Sequence, residues 1–156
     1  MINFKNIDHH INKRLSINDQ PVYTISIAAK LLGISISTLR MYEKEGLIIP
    51  HKSQGNQRLY SYNDIGRIAS IRKNIKEGRI SINGIRAIFS IIPCYKIISC
   101  SEADRENCKA YHEGIKSCWA YKHKNNTCEK IDCRECDVYK NNYDFISAKN
   151  TIKKLL

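Results

Sequence analysis

The chain has 156 residues, 42% of them hydrophobic, a formal net charge of +11 and seven cysteines. This length allows one ordinary domain or two small ones, and the composition argues against wholesale disorder. No apolar run approaches the ~20 residues of a membrane-spanning helix. The N-terminus lacks the basic and apolar regions of a secretory signal. We therefore expect a cytoplasmic protein with reduced thiols and no membrane partner.

Charge and cysteine divide the chain near Pro93. Residues 21–93 carry eleven Lys and Arg against four Asp and Glu, a net +7, and contain no cysteine. Residues 94–139 carry eight charges of each sign and all seven cysteines. The division indicates two functions, and a basic domain commonly binds a polyanion. From charge alone, a basic surface that serves only solubility is an equally good interpretation.

Two short helices separated by a glycine are predicted in the basic part. Residues 24–33, TISIAAKLLG, predict a helix with Ser26 as its N-cap and Gly33 as its end. Ser35 caps the second, ISTLRMYEKEG, which ends at Gly46. Together they form a helix-turn-helix pattern. The second helix would present four ligands for a DNA groove or for phosphates: Ser37, Thr38, Arg40 and Lys44.

A β-hairpin and two further helices are predicted next. The polar stretch HKSQGNQ lies between two short extended runs and contains a Gly-Asn turn, which indicates a hairpin that would serve as a wing. Residues 63–78 predict a helix capped by Asn63, and residues 81–92 predict one capped by Ser81. Isoleucines recur at helical spacing in both, so we expect them in the core.

The ordered motifs of residues 22–92 resemble the winged-helix DNA-binding domain of the MerR family. TLRMYEKEGLI is similar to the family pattern LRyYE.eGLi.P, and QRLYSYNDI is similar to g.RlYs..Di. PVY and LRMYE are also similar to the HspR-type heat-shock repressors of that family. The resemblance implies a sequence-specific transcriptional regulator that is not an enzyme, with a mainly α fold whose winged helix-turn-helix occupies residues 21–92.

The resemblance also implies which residues contact double-stranded promoter or operator DNA. The second helix would enter the major groove, where the guanidinium of Arg40 matches phosphate and base edges alike. Tyr42 matches a family tyrosine that touches the DNA backbone, although packing against the wing is an equal alternative. The predicted DNA contacts are Ser35, Ser37, Thr38, Arg40, Tyr42, Lys52, Gln57, Arg58 and Tyr60.

A homodimer on pseudo-palindromic half-sites is implied as well, with RNA polymerase as a further partner at the promoter. Family members often act by distorting a promoter spacer, which resembles shape-based readout. Unlike them, this chain has no long dimerisation helix after residue 92. Residues 4–15 and 145–156 carry apolar residues at helical spacing and are candidates for pairing. The pattern slightly favours the alternative that each packs on its own domain or frays.

The cysteine-rich part contains a duplicated unit. PCYKIISCSEADRENCKAY (93–111) and SCWAYKHKNNTCEKIDCRECDVY (117–139) both place an aromatic residue after the first cysteine, carry a middle cysteine and end in C-x2-Y. Cys133 has no counterpart in the first copy. Such a repeat argues against chance. It is similar to the CW-type cysteine modules of bacterial signalling and regulatory proteins.

A metal-stapled domain is predicted over residues 93–139, because units of ~20 residues bury too little surface to fold unaided. The C-x2-C and C-x4-C spacings suit zinc or an iron–sulfur cluster, while resting disulfides are disfavoured in the cytoplasm. A reversible thiol switch at the C-x2-C pair stays open. Residues 1–20 would be an extension, and residues 140–156 a short amphipathic helix. The predicted ligands are Cys94, Cys100, Cys108, Cys118, Cys128, Cys133 and Cys136.

The leading hypothesis is a regulator whose DNA binding responds to a metal, cluster or thiol signal. Two other functions stay open. An architectural DNA binder of the excisionase-like class also uses a small winged helix, but the cysteine repeat argues against it. A thiol- or metal-handling protein would use Cys133 and Cys136. No thioredoxin-like βαβ context surrounds that pair, and the basic domain would have no role.

Overall fold

The structure is a computed structural model that describes residues 17–156. It is mainly helical, as predicted, and the chain forms two compact units. The described part of the first comprises residues 17–41 and Pro50–Ala69, and the second comprises Tyr42–Ile49 and Ser70–Leu156. The candidate pairing segment 4–15 lies outside the described residues.

A small three-stranded sheet and three helical segments build the first unit. Strand β3 is central and pairs antiparallel with β1 and β2, with Tyr23 opposite Tyr60 and Lys52 opposite Arg58. The β2–β3 hairpin was predicted, but β2 lies at His51–Lys52, within the stretch HKSQGNQ that was predicted as its loop. The two residues of β1 were too few to show alternation. The elements are β1 (Tyr23–Thr24), α1 (Ile25–Leu32), α2 (Ile36–Lys44), β2 (His51–Lys52), β3 (Arg58–Tyr60) and α3 (Tyr62–Lys76). Helices α2 and α3 begin in the first unit, and their last residues belong to the second.

The helix-turn-helix forms largely as predicted, with one wrong cap. The hydroxyl of Thr24, and not that of Ser26, accepts a hydrogen bond from the Ile27 N–H at 3.4 Å and caps α1. Thr24 has extended backbone and Ser26 lies inside the helix, so only Thr24 can be the N-cap. Gly33 ends α1 with φ +60°, a left-handed conformation that glycine adopts without strain.

The N-cap of α3 was also misplaced. The N–H of Ser61 donates to Asp64 Oδ2 at 2.8 Å, and the N–H of Asp64 donates back to Ser61 Oγ at 3.1 Å. This reciprocal pair is a capping box and begins the helix two residues before Asn63. The Asn63 side chain instead donates to Asp19 Oδ1 at 2.7 Å. The core of the first unit contains four fully buried side chains, those of Ala28, Leu39, Tyr60 and Ile68.

The second unit has Trp119 at its core. The Trp119 ring packs between Phe89 and Tyr139, with ring centroids 5.4 Å apart on both sides. Ser81 caps α4 as predicted, accepting from the Gly84 N–H at 3.0 Å. The unit contains α4 (Ile82–Ser90), α5 (Cys94–Ile97), α6 (Glu102–Glu106), α7 (Lys109–Glu113), α8 (Asp137–Asn141), α9 (Phe145–Leu155) and two 3₁₀ turns (Cys118–Ala120 and Thr127–Lys130).

Helix α9 forms where the sequence predicted a C-terminal amphipathic helix. It packs against α4 and α8 of its own chain, with Ala148 fully buried. An apolar face of this candidate pairing segment therefore covers its own unit.

Within residues 17–156, no single helix is long and apolar enough to cross a membrane. Among the helices that the structure describes, only α1 and α2 taken together, bent by 102° at their break, reach the required length and apolarity.

Candidate nucleic-acid interface and cysteine pocket

The start of helix α2 presents a polar, exposed surface. Ser35 caps the helix by accepting from the Thr38 N–H at 3.0 Å. Its hydroxyl also lies 2.8 Å from the hydroxyls of Ser37 and Thr38, so three hydroxyl groups cluster at the first turn. Arg40 follows on the same helix and is exposed. Hydroxyl and guanidinium groups at the start of a helix are suited to phosphate and base edges.

The hairpin adds two cations on paired strands. Lys52 of β2 and Arg58 of β3 are opposite each other in the antiparallel register, with Lys52 exposed and Arg58 half-buried. The turn between them is closed by Ser53, whose N–H donates to the Gln57 carbonyl at 3.0 Å. Asn56 takes φ 57° in this turn, a conformation that asparagine tolerates better than most residues. Gln57 itself is exposed.

Both predicted DNA-contacting tyrosines lie inside the protein. Tyr42 is 6% exposed and Tyr60 is 0% exposed. Burial of Tyr42 agrees with the packing alternative stated for it. The candidate contacts that are exposed or half-buried are Ser35, Ser37, Thr38, Arg40, Lys52, Gln57 and Arg58.

All seven cysteines line one pocket of the second unit, here called the cysteine pocket. Each cysteine is half-buried and none forms a disulfide. Tyr95, Tyr111, Trp119 and Tyr139 also line the pocket, so its thiols lie among aromatic rings. Sequence reasoning had grouped the cysteines, and the structure brings the whole group together.

The duplicated unit also appears in the structure. In the first copy Tyr95 packs edge-to-face on Tyr111 at 5.3 Å and 86°, and in the second Trp119 packs on Tyr139 at 5.4 Å and 81°. The cysteine of each C-x2-Y motif directly precedes a five-residue helix, α7 in the first copy and α8 in the second. Each copy therefore folds around its own aromatic pair, formed by residues at equivalent positions of the repeat.

Neighbouring thiols and burial shift the pKa values of Cys94, Cys100, Cys118 and Cys128. Hydrogen bonding from Cys118 lowers the pKa of Cys94 to about 7, because it stabilises the Cys94 thiolate. The interaction with Cys94, followed by burial, raises the pKa of Cys118. Burial raises the pKa of Cys128 to about 12 and also raises the pKa of Cys100.

A preformed site for a single metal ion is not found among residues 17–156, where no three Cys, His, Asp or Glu side chains converge closely enough to hold one. His112 and His123 each direct Nε2 to a backbone carbonyl, that of Glu106 at 3.2 Å and that of Cys118 at 3.0 Å. Zinc or a cluster therefore remains a prediction.

One carboxylate connects the two copies. Asp104 accepts hydrogen bonds from the backbone N–H and hydroxyl of Ser101 in its own copy, at 3.1 and 2.7 Å. It also accepts from the N–H and hydroxyl of Thr127 in the other copy, at 2.7 and 3.1 Å. These hydrogen bonds, led by that from the Ser101 hydroxyl, lower the pKa of Asp104 to about 2.

The loop after helix α2 is held by residues of the cysteine-rich part. The Trp119 indole N–H donates to the Gly46 carbonyl at 2.8 Å, and the Ile49 N–H donates to the Tyr139 hydroxyl at 3.0 Å. Arg134 also donates to the Ile49 carbonyl. Sequence reasoning missed these contacts, since the partners are 73 to 90 residues apart. The repeat had marked both aromatic residues, but nothing in it pointed to residues 46–49.

Glu45 forms an ion pair at the same loop. Arg86 Nη1 of α4 lies 2.9 Å from its carboxylate, with both side chains about a quarter exposed. This salt bridge places the negative charge of Glu45 next to an arginine.

Comparison with known proteins agrees with the winged helix-turn-helix. Residues 23–90 match the MerR HTH family of regulatory proteins. The putative heat shock protein HspR of Streptomyces coelicolor is 37% identical over 73 residues, which cover 47% of this chain and 48% of HspR. The HTH-type transcriptional regulator GlnR of Bacillus anthracis is 31% identical over 68 residues, covering 44% and 52%. The HTH-type transcriptional regulator TnrA of Bacillus subtilis is 35% identical over 63 residues, which cover 40% of this chain and 57% of TnrA.

These matches concern the winged helix alone. The chain spans about half the length of the relatives it matches. The family match ends before the cysteines begin. Residues 23–90 are thus similar to the MerR family of helix-turn-helix regulatory proteins, HspR among them.

Proposed function

We propose that the chain is a sequence-specific DNA-binding transcriptional regulator of the MerR type. The observation that supports this most is the exposed surface at the start of α2, where three clustered hydroxyls and Arg40 occupy the second helix of a MerR-type helix-turn-helix. Lys52 and Arg58 on the hairpin would add phosphate contacts. The regulator acts in the cytoplasm, where its DNA is, and needs no enzymatic activity.

The proposal includes a homodimer on pseudo-palindromic half-sites, since a two-fold protein matches a two-fold site. RNA polymerase at the promoter is its further partner. Sedimentation of the chain with and without a selected duplex measures the number of chains bound. Two chains on one duplex are expected, and a single chain on the smallest duplex that binds fully would contradict the dimer.

The cysteine pocket is proposed to modulate DNA binding through a metal, an iron–sulfur cluster or a thiol reaction. Trp119 and Tyr139 line the pocket and bond to the backbone of Gly46 and Ile49. Those residues lie between the end of the recognition helix α2 and the first wing strand β2. A change in the pocket therefore has a short covalent and hydrogen-bonded route to the DNA-contacting elements.

Binding-site selection from a random duplex library tests the DNA-reading function. A regulator of this kind enriches a pseudo-palindromic sequence, and its log affinity for that sequence falls with log salt at a slope of several units. An architectural binder would retain many unrelated sequences and bend them. No enrichment together with a flat salt response would overturn the proposal.

Anaerobic purification followed by elemental analysis and a visible spectrum tests what the pocket holds. Zinc without colour supports a structural metal, and iron with sulfide and a brown colour supports a cluster. Seven free thiols without metal support a thiol response. Comparing DNA affinity before and after chelation or oxidation then measures modulation, and equal affinities would contradict it.

A further inference from the structure

The second unit contains a groove beside helix α9, here called the α9 groove. Its volume is about 720 Å³, which lies within the ~300–1,000 Å³ of typical small-molecule sites. Residues of α8, of the α8–α9 connection and of one face of α9 line it. It shares no lining residue with the cysteine pocket, so it is a second concave site of the same unit.

Asn142 is a buried residue of this groove whose amide group is only partly paired. Its exposed fraction is 0%, and its Nδ2 donates to the Val138 carbonyl at 2.8 Å. Because a carbonyl oxygen only accepts hydrogen bonds, this bond fixes which end of the amide is nitrogen. The other end, Oδ1, has no hydrogen-bond donor among residues 17–156. Buried polar atoms are nearly always paired, so this oxygen is suited to a donor that a ligand supplies.

Two opposite charges line the same groove without pairing. Asp137 begins α8, Lys154 lies in the last turn of α9, and both are exposed. Neither side chain forms a hydrogen bond or an ion pair within the part of the chain that the structure describes. Asp144, the other acidic residue of the groove, is the N-cap of α9 and accepts from the Ser147 N–H at 2.8 Å. The groove therefore offers one carboxylate and one ammonium group that the fold does not use.

Aliphatic side chains complete the lining. Ile97 of α5 and two residues of α9, Ile146 and Leu155, contribute them. Ile146 is 61% exposed. An aliphatic side chain this open to water gains free energy when an apolar ligand group covers it.

We propose that the α9 groove binds a small zwitterion with an aliphatic side chain, either a free amino acid or a short peptide. Its ammonium group would donate to Asn142 Oδ1 and to the Asp137 carboxylate, and Lys154 would donate to its carboxylate in a charge-assisted hydrogen bond. A cation alone would leave Lys154 unpaired, and an anion alone would leave the two acceptors unpaired. None of these residues is a predicted DNA contact, so ligand binding at this groove is independent of the proposed function.

Isothermal titration calorimetry of the full chain with leucine and with leucyl-leucine tests the proposal. At least one of them should bind with a Kd of about 1 mM or lower, and the tighter ligand identifies the source. The N-acetylated and the C-amidated form of that ligand each lack one charge and should bind about tenfold more weakly or worse. No binding of either zwitterion up to about 10 mM would overturn the proposal, as would equal binding of the blocked forms.

Variants assign the groups of the groove. Lys154→Ala should weaken binding of the zwitterion about tenfold. Lys153→Ala is the matched control, since it removes the same charge from an exposed site of α9 outside the groove and should not change binding. Equal effects of the two variants would contradict binding at this groove.

Asn142→Leu removes the unpaired oxygen and should weaken binding about tenfold or more. Asp137→Asn is the second variant, should Asn142→Leu fail to fold by circular dichroism, because Asp137 is exposed and unpaired within the described chain. It should weaken binding as well. A folded Asn142→Leu chain, or an Asp137→Asn chain, that binds the zwitterion as tightly as the wild type would overturn the assignment of the ammonium site.

Discussion

Trp119 donates its indole N–H to the carbonyl oxygen of Gly46 at 2.8 Å, although 73 residues separate them. Gly46 follows helix α2, and Trp119 lines the cysteine pocket. The Tyr139 hydroxyl accepts a hydrogen bond from the Ile49 N–H, so two aromatic side chains of the second copy hold the loop between α2 and β2.

Tyr139→Phe should destabilise the second unit by about 1–3 kcal/mol, because the half-buried N–H of Ile49 loses its acceptor while the ring remains. Urea unfolding measures the change. Tyr121→Phe is the matched control, since its hydroxyl accepts an exposed N–H from Lys116 and its loss should cost about 0.5 kcal/mol or less. Equal effects of the two variants would contradict a structural role for the Tyr139 hydroxyl.

Gly46→Ala should destabilise the chain more than Gly114→Ala. Both glycines have left-handed backbone, φ +70° and +58°, which costs an alanine about 1–2 kcal/mol. A Cβ at Gly46 would also lie 3.1 Å from Ala120 Cβ, whereas a Cβ at Gly114 meets nothing within 4 Å. Thermal unfolding of both variants isolates this contact, and a larger loss for Gly114→Ala would argue against it.

Asp104 should stabilise the fold in a pH-dependent way. Its pKa in the folded chain is about 2, below the ~3.9 expected when unfolded, so its contribution is complete above about pH 4. That contribution should disappear as the pH falls from about 4 to 2. Unfolding of wild type and Asp104→Asn at both ends of this range measures the difference, which should shrink in acid. An NMR titration that gave Asp104 an ordinary pKa would contradict the link between the copies.

Ser61→Ala should lower stability by about 1 kcal/mol through loss of the α3 cap. Asn63→Ala, which removes the residue first assigned as the cap, should have the smaller effect because its hydrogen bond to Asp19 is exposed. Chemical denaturation of both variants ranks them. The opposite ranking would restore Asn63 as the cap.

Local patterns predicted the local structure well. Ser35, Ser81 and Gly33 mark helix ends as expected, because a cap depends on neighbours three or four residues away. The two wrong caps arose where hydroxyl and carboxamide side chains stood close together in sequence. Thr24 and Ser61 are the caps because each directly precedes the first helical residue and accepts a hydrogen bond from the N–H three positions ahead.

Long-range features could be only partly predicted. The cysteine repeat indicated that equivalent residues form equivalent units, and the aromatic pairs Tyr95–Tyr111 and Trp119–Tyr139 show it in three dimensions. The contacts to Gly46 and Ile49 could not be predicted, since a backbone carbonyl or N–H leaves no mark in the sequence. Burial of Tyr60 was missed for a related reason, because its strand β3 becomes central only by pairing with the two-residue β1.

The affinity of Arg40→Ala for a duplex selected by the wild-type chain, measured by fluorescence anisotropy, tests the central claim most directly. Loss of an exposed guanidinium from the recognition helix should weaken binding by about 1–3 kcal/mol, roughly tenfold to a hundredfold, with the unfolding midpoint unchanged. Lys122→Ala removes the same charge from an exposed site in the cysteine-rich part and should have little effect. If Arg40→Ala binds as tightly as the wild type, helix α2 is not the DNA-reading element.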